Sequence, residues 1–578
     1  MNYATSTIQT SGQIALPAWR SRVLYVLLLA GLLALLARAV YLQGINNSFL
    51  QEKGDARYGR VVDIHAHRGM IMDRHGEPLA VSTPVESVWA SPADVIISAS
   101  QISQLAQITG LSVAEVKGKL SDTSREFVYI KRQLPPEQAA KVVKLAIPGV
   151  SLQREYRRYY PGGEVTSQLI GFTDVDDNGQ EGIEFALQAQ LSGKAGSQQV
   201  IKDRRGFIVE DVGSLRAPKA GVDVTLSIDS NIQSLAFREI KSAVEKHKAK
   251  GGSIVVLDSR TGEVLALANW PSYNSNNRDK PNVAVLRNHA VTDLFEPGST
   301  MKPFTVATAL EAGRIKSGTV INTSNGVFTL NGRTIHDTHP ERSLTVAQII
   351  QKSSNIGTAK IALGMPPETF WRGLSENGFG SLTGSEFPGE AAGKLRDFRT
   401  WRPIEQATMS YGNGISVNLL QLARAYTVFA NNGELMPITM LKQESPAVGI
   451  KVYSDATAQA VRDMMETVVR PGGTAPLAQI TGYRVAGKTG TAHKLENGKY
   501  VDHYVASFVG MAPASNPRLI VAVMINDPGG REYYGGLVAA PVFSNVMGAS
   551  LRLLGVPNDA PLDNVMRPSA NDLIGEDA

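Results

Sequence analysis

The stretch EPGSTMKPF, Glu296 to Phe304, sets a Ser and a Lys three residues apart between a Pro-Gly turn and a second Pro. Residues at that spacing share a helix face, so Lys302 reaches back toward Ser299. Pro303 has no N–H and is tolerated only close to a helix start. The helix is therefore expected to begin at about 298–299, with PFTVATALEAG carrying it to a stop at Gly313. That puts the Ser299 hydroxyl at the positive end of the helix dipole, where an oxyanion is stabilised. A Ser hydroxyl is a weak nucleophile until a base takes its proton. Lys302 serves as that base only as a neutral amine, a state favoured by burial and by a second nearby cation. A surface Ser and Lys sharing a helix face by chance would read the same, yet this is the only S-x-x-K in the chain.

Lys488-Thr489-Gly490-Thr491 supplies the second cation. It lies inside a strand-like run, RVAGKTGTAHK, with a Gly that lets a ligand approach the backbone closely. On an edge strand it offers a Lys charge, Thr hydroxyls and backbone N–H groups to an extended peptide ending in a carboxylate. Lys316-Ser317-Gly318-Thr319 has the same form but follows the Gly313 stop directly and reads as a loop. The third element is Ser353-Ser354-Asn355, placed inside SLTVAQIIQKSSNIGTAKIAL, an expected long amphipathic helix. Polar residues there cost helix stability, whereas a Ser hydroxyl and an Asn amide aimed into a cleft relay a proton and hold a substrate amide. S-x-N alone is weak: it recurs at 272–277, and a capped or solvated helix end explains it equally well. The ordered trio, Ser353 lying 54 residues after Ser299 and Lys488 135 residues after Ser353, is far more specific than any one element.

The rest of the chain frames this trio. Its 578 residues allow roughly two to four domains. A net charge of +5 without a dense Lys/Arg block argues against nucleic acid as a partner. There is no cysteine, so disulfides, thiolate metal sites and Cys nucleophiles are excluded. His65 and His67 form a close pair, but there is no HExxH, and no metal is expected. Residues 1–22 hold no acid and carry Arg20 and Arg22 ahead of VLYVLLLAGLLALLA. Residues 23–42 give about 30 Å of helix, a bilayer-spanning length, with Arg38 near one end where it snorkels. A cleavable leader competes, because Ala37-Arg38-Ala39 has a small-x-small form. The Arg inside that site and the apolar residues beyond it favour a retained anchor. The positive leader places 1–22 in the cytoplasm and everything after 42 outside.

A polar, mixed region with short strand-like runs, tight turns and a helix at SVAEVKGKL spans 43–220. The seam APKAGVD then opens a different texture over 221–556. There SIVVLD and TGEVLALAN read as a hairpin turning at 259–262, helices follow, and RVAGKTGTAHK, YVASFVGMAPA and RLIVAVMIND close the region. Two strands, a helical middle and three late strands imply an α+β domain whose sheet is assembled from distant segments. The Pro- and Asp-rich stretch 557–578 reads as a mobile tail.

On these motifs the chain resembles the acyl-serine transferases that penicillin acylates, and among them the class B penicillin-binding proteins. The N-terminal marks are RGMIMDRHGEPLAVS (68–82), RRYYPGGE (157–164), GFTDVDDNGQEGIE (171–184) and KDRRG (202–206). The catalytic marks are FEPGSTMKP, QKSSNIG, SYGNGISV, GKTGT and YYGGLVAAPVF. AHRGMIMDRHGEPLAVSTPVESVWASP is most similar to the division-specific branch. The resemblance implies a transmembrane helix, a mixed β-rich pedestal, and a penicillin-binding/serine β-lactamase-like transpeptidase domain with a central antiparallel sheet flanked by helices. It implies cleavage of the terminal D-Ala–D-Ala of a peptidoglycan stem peptide and transfer of the acyl group to an amine on a neighbouring stem. Carried onto matching positions, Ser299 is the nucleophile and Lys302 its base. Ser353, Asn355 and Lys488 relay the leaving-group proton and order the site. Thr489 and Thr491, flanking Gly490, hold the substrate carboxylate, and the N–H groups of Ser299 and Thr491 form the oxyanion hole. No metal or organic cofactor is implied. The implied partners are stem peptides, β-lactam antibiotics, a membrane-embedded glycan polymerase (FtsW-like), other division proteins, and the lipid bilayer through 23–42. The implied location is the bacterial inner membrane at the division septum, with the catalytic domain periplasmic. His493 stands where some relatives carry Arg, and Asn413 in SYGNG where some carry an aromatic.

Three other readings share part of this pattern. A serine β-lactamase has the trio, but between Asn355 and Lys488 no Glu is followed four residues on by Asn, the local form of its deacylating base. An elongation-specific transpeptidase has the same catalytic motifs. A penicillin-binding sensor or scaffold would keep the serine for binding alone, and the intact motifs speak against it.

Overall fold

The computed structural model describes residues 18–46, 59–202, 208–277, 282–445, 447–496 and 498–566. Residues 1–17, 567–578 and most of KDRRG, all read above from sequence, lie outside them. The uninterrupted apolar run forms the helix Ala18–Val40, 23 residues with no buried side chain. At ~1.5 Å per residue it is about 35 Å long, enough to cross a bilayer, and it continues into the π-helical turn Tyr41–Ile45.

The described chain divides into two compact units that interleave along the sequence. The smaller one includes Val85–Glu155 and Ala195–Pro218. Its core gathers Val88, Leu105, Val116, Ile130 and Val142. Two helices there, Ala99–Thr109 and Val113–Leu120, each start at a Ser that accepts from the N–H three residues on, with Gln101 and Glu115 completing capping boxes. Buried Glu155 accepts from Ser87 Oγ (2.6 Å) and pairs with Arg132 (3.0 Å).

The larger unit takes Ala66–Pro84, Tyr156–Lys194 and Lys219–Ala578. The first two segments fall in the region read as pedestal, yet they group with the catalytic motifs. The reason is apolar: Ile71, Leu79, Leu169, Ile170 and Leu191 belong to the same buried cluster as the central sheet. That sheet has five strands in the order Val264–Trp270, Gly251–Asp258, Leu519–Asn526, Lys499–Ala512, Ala486–Glu496. Every neighbouring pair is antiparallel. Two early strands are thus joined to three late ones, and the strand carrying Lys488 is an edge. Gly251–Asp258 shows no alternation of buried and exposed residues: it is buried at every position, as befits a strand covered on both faces. Helices Ser230–Lys246 and Ala540–Leu553 pack on the sheet and on each other, and Leu419–Ala425 also packs on it.

Two expectations are corrected. The long helix over SLTVAQIIQKSSNIGTAKIAL is two helices, Val346–Gln351 and Asn355–Leu363. Between them Ser353 has φ +60°, a left-handed backbone that cannot continue a helix, and the Ser354 hydroxyl caps the second helix by accepting from the Gly357 N–H at 2.9 Å. Residues 557–566, read as part of a mobile tail, are tied to the body. Asp559 accepts from the Arg484 N–H (2.7 Å), and Asn564 accepts from the Gly482 N–H (2.9 Å) while donating to Ile480 O (3.1 Å). Short polar side chains satisfy backbone groups as readily as they face water, so composition could not separate the two states.

One buried ionic cluster stabilises the larger unit. Glu184, fully buried, accepts from Arg68 Nε at 2.7 Å and from Arg158 Nε at 2.6 Å, and both Arg side chains are only 1% exposed. Removing the shared carboxylate strands two buried cations, a change of the kind that costs about 3–5 kcal/mol. Glu184→Ala is therefore expected to lower the thermal unfolding midpoint markedly in a melting experiment, whereas Glu368→Ala, which removes an exposed pair with Arg372, leaves it nearly unchanged.

Candidate active site

The serine turn is built from both sides. Gly298–Met301 is a single 3-10 turn leading into the helix Lys302–Glu311, with Pro303 in its first turn. Thr300 Oγ1 donates back to Pro297 O (2.8 Å), and Tyr426 OH donates to Thr300 O (2.8 Å). Phe304, fully buried, is ringed by Phe379, Tyr426 and Phe429 at 5.0–5.3 Å between centroids. These contacts leave the turn little freedom, and Ser299 is 7% exposed at its surface.

Lys302 is fully buried. Its Nζ donates to Ser353 Oγ at 2.9 Å and to Ser353 O. Removal from water disfavours an ammonium relative to a neutral amine, and a Ser hydroxyl on the amine provides a path for a proton. The left-handed backbone of Ser353 is what turns both its oxygens toward Lys302, so the strain has a use. Asp337 maintains it: Ser354 Oγ donates to Asp337 Oδ2 at 2.5 Å, and the Ile356 N–H donates to Asp337 Oδ1 at 3.0 Å. Asn355 lies two residues after Ser353, and its Nδ2 donates to His336 O at 3.2 Å.

The edge strand Ala486–Glu496 closes the site. Lys488 is fully buried, and its Nζ donates to Thr489 Oγ1 at 3.0 Å. Thr489 Oγ1 shares a 2.9 Å hydrogen bond with Thr474 Oγ1, and Thr491 Oγ1 accepts from the Gly535 N–H at 3.1 Å. At Gly490 a Cβ would lie 2.5 Å from Ser507 Oγ and 2.8 Å from Pro297 O, so only Gly admits the strand this close to the serine turn. The turn is confined from another side by Gly412, where a Cβ would lie 2.1 Å from Gly298 O. The rest of the SYGNG loop is held by Glu296, whose carboxylate accepts from the Gly414 N–H (2.8 Å) and from Tyr500 OH (3.0 Å); burial pushes its pKa up. Ser299, Lys302, Ser353, Lys488, Thr489, Gly490 and Thr491 thus converge, while the decoy Lys316 lies in a loop before the strand Val320–Asn322.

Residues 252–548 match the penicillin binding protein transpeptidase domain, and residues 63–226 the penicillin-binding protein dimerisation domain. The chain belongs to the class B penicillin-binding proteins. It is 44% identical over 548 residues to the "Probable peptidoglycan D,D-transpeptidase PenA" of Neisseria meningitidis serogroup A, covering 94% of each chain. It is 42% identical over 550 residues to the peptidoglycan D,D-transpeptidase FtsI of Escherichia coli K12, covering 94% of this chain and 93% of that one. Among solved structures, the transpeptidase domain of Burkholderia pseudomallei penicillin-binding protein 3 aligns with a TM-score of 0.54 and 50% identity, over 58% of this chain and 98% of that one.

Two residues that position this penicillin-binding site were not singled out from sequence. Glu296 lay inside the motif as quoted, and an acid directly before the Pro-Gly turn was the available signal. Asp337 had none, because the strand Ser343–Thr345 and the helix Val346–Gln351 separate it from Ser354 in the chain. The tightest geometric requirement is at Gly490. Gly490→Ala is expected to push the strand off the serine turn and slow Ser299 acylation by a fluorescent penicillin by about 10²-fold, the cost of an ångström-scale misplacement. Stopped-flow measurement of that rate checks it.

Proposed function

We propose that the chain is a serine D,D-transpeptidase that cross-links peptidoglycan stem peptides in septal wall synthesis. The observation that carries this reading is the amine of fully buried Lys302 lying 2.9 Å from Ser353 Oγ, one turn from Ser299. Lys302 takes the Ser299 proton as Oγ attacks the carbonyl of the penultimate D-Ala. The oxyanion is received by the N–H groups of Ser299 and Thr491, whose backbones adjoin: a Cβ on Gly298 would lie 3.1 Å from Thr491 O. Such a donor contributes about 10²–10³ in rate. The C–N bond then breaks, and the proton passes from Lys302 through Ser353 to the departing D-Ala amine. Thr489 and Thr491, with the charge of Lys488 beside them, hold the D-Ala carboxylate. Asn355 donates one N–H to His336 O, which leaves its second N–H and its Oδ1 for a substrate amide. In the second half the acyl group passes to an amine of a neighbouring stem, which gives its proton back along the same route.

The septal assignment rests on the 42% identity with FtsI over nearly the whole chain. The helix Ala18–Val40, which carries Arg20 and Arg22 at its start and has no acid before them, is the membrane anchor, the one helix of that length and character among the described residues, with the catalytic unit on the periplasmic side. A membrane-embedded FtsW-like polymerase supplies the glycan strands, and β-lactams mimic the D-Ala–D-Ala terminus.

Incubating the full-length protein in detergent with penicillin, alongside Ser299→Ala, tests the reading by intact mass over hours. One persistent adduct, absent from the variant, is expected. An adduct lost within seconds while penicillin is consumed would make the protein a β-lactamase. No adduct on folded protein would leave a scaffold.

A further inference from the structure

The edge strand that carries Lys488, Thr489 and Thr491 begins at Ala486, and the turn 480–484 leads into it. That turn is held by residues 557–566, near the other end of the catalytic unit in sequence. Gly482 has φ +82°, and both its backbone groups are met from there. Its N–H donates to Asn564 Oδ1 at 2.9 Å, and its carbonyl accepts from the N–H groups of Asp559 (3.2 Å) and Ala560 (3.1 Å). Asn564 Nδ2 also donates to Ile480 O (3.1 Å) and Tyr483 O (3.0 Å). A Cβ on Gly482 would lie 2.8 Å from Asn558 Nδ2 and 3.2 Å from Leu562 Cδ2, so the C-terminal segment is seated closely on this turn.

Asp559 joins two strand ends as well. Its Oδ1 accepts from the Arg484 N–H at 2.7 Å, and its Oδ2 accepts from Ser515 Oγ at 2.7 Å and from the Ser515 N–H at 3.2 Å. Arg484 stands two residues before the edge strand, and Ser515 three residues after its neighbour Lys499–Ala512. The two strands run antiparallel with Ala486 opposite Met511, so one carboxylate clamps the pair where the catalytic strand enters. From Arg484 to Lys488 is four residues, about 13 Å of extended chain.

Arg484 is fixed from a second side. Its Nη2 donates to Glu466 Oε1 at 2.5 Å, and Glu466, 5% exposed, also accepts from Arg470 at 3.0 Å. Arg470 opens the loop that brings Thr474 to Thr489, where the two hydroxyls share their 2.9 Å hydrogen bond. The position of Arg484 is thus felt at the KTGT motif along the strand and through this loop. The ladder itself does not rest on the C-terminal segment, because the edge strand pairs with Lys499–Ala512 from Ala486 to Glu496. Loss of the segment's hydrogen bonds frees the strand's entry and leaves the sheet paired.

We propose that residues 557–566 are a strap that sets the position of the catalytic edge strand, and that Asp559 and Asn564 are its positioning residues for acylation of Ser299. The proposal rests on the transpeptidase reading and adds to it a point of control outside the catalytic motifs.

The test follows acylation of the full-length protein in detergent by a fluorescent penicillin in stopped flow, over a range of concentrations that separates affinity for the first complex from the rate of acylation. Asp559→Ala with Asn564→Ala is expected to slow acylation at saturation by about tenfold, part of the loss that an ångström-scale misplacement causes, with the affinity within about twofold. Asp559→Asn should recover most of the rate, since its Oδ1 accepts from the Arg484 N–H and its Nδ2 donates to Ser515 Oγ. Complete labelling of Ser299 by intact mass reports that each variant is folded. Should the double variant not label, the single substitutions decide, each expected to slow acylation by about threefold. Acylation within twofold of the unsubstituted protein, with or without a lowered melting midpoint, would overturn the inference, as would a loss confined to affinity or an Asp559→Asn variant as slow as Asp559→Ala. Failure of the unsubstituted protein to take penicillin would instead overturn the transpeptidase reading, and this inference with it.

Discussion

The site depends on one steric condition: the edge strand Ala486–Glu496 must lie against the turn Gly298–Met301 with no side chain between them. Gly490 meets that condition on one side and Gly412 on another, each at a place where a Cβ would enter occupied space. Glycine is costly in ordered backbone because it loses the most conformational freedom on folding. Here that cost is offset by the buried sheet and the aromatic cluster around Phe304, which hold both elements. The serine and the N–H groups proposed as its oxyanion donors are thus held by packing, and fixed dipoles are where catalysis of this kind gains most.

The setting of the Lys302 amine depends on a second arrangement that works differently. Ser353 adopts a backbone that non-glycine residues avoid, and the strain is carried by Asp337 through Ser354 and Ile356. A regular helix through this segment would present Ser353 once per turn on one face and could not direct both its hydroxyl and its carbonyl at one amine. Breaking the helix achieves that, and the new helix start is stabilised by its Ser354 cap. Local strain and local capping are thus two parts of one feature.

This explains which parts of the molecule could be read from the chain. S-x-x-K and K-T-G are short, and each gains meaning from an element whose type sequence shows: a helix start marked by Pro303 and a strand marked by its apolar flanks. The five-stranded sheet followed from the same signals, since two early and three late strands of matching texture had to meet. The break at Ser353 was legible only as one of two equal readings, a capped helix end, because apolar residues run on through 343–363 and nothing local reveals a carboxylate sixteen residues earlier in the chain at Asp337. Nor was the interleaving of the two units, which is decided by where Ile71, Leu169 and Leu191 find a core and not by any change in composition. Sequence reads elements and their ends well; it reads poorly the contacts that override them.

The lysines of the catalytic unit divide by environment. Lys302 and Lys488 are fully buried, while Lys394 is exposed and Lys494 half-buried. Charges removed from water interact strongly and are little affected by salt, whereas exposed ones are screened within about 8 Å at physiological ionic strength. In the proposed reaction the two buried lysines act at the centre, Lys302 on the Ser299 proton and Lys488 as a charge beside the substrate carboxylate. The buried pair is also the harder to alter, because each amine is packed against hydroxyls that would lose their partner. The exposed pair can change without disturbing the core.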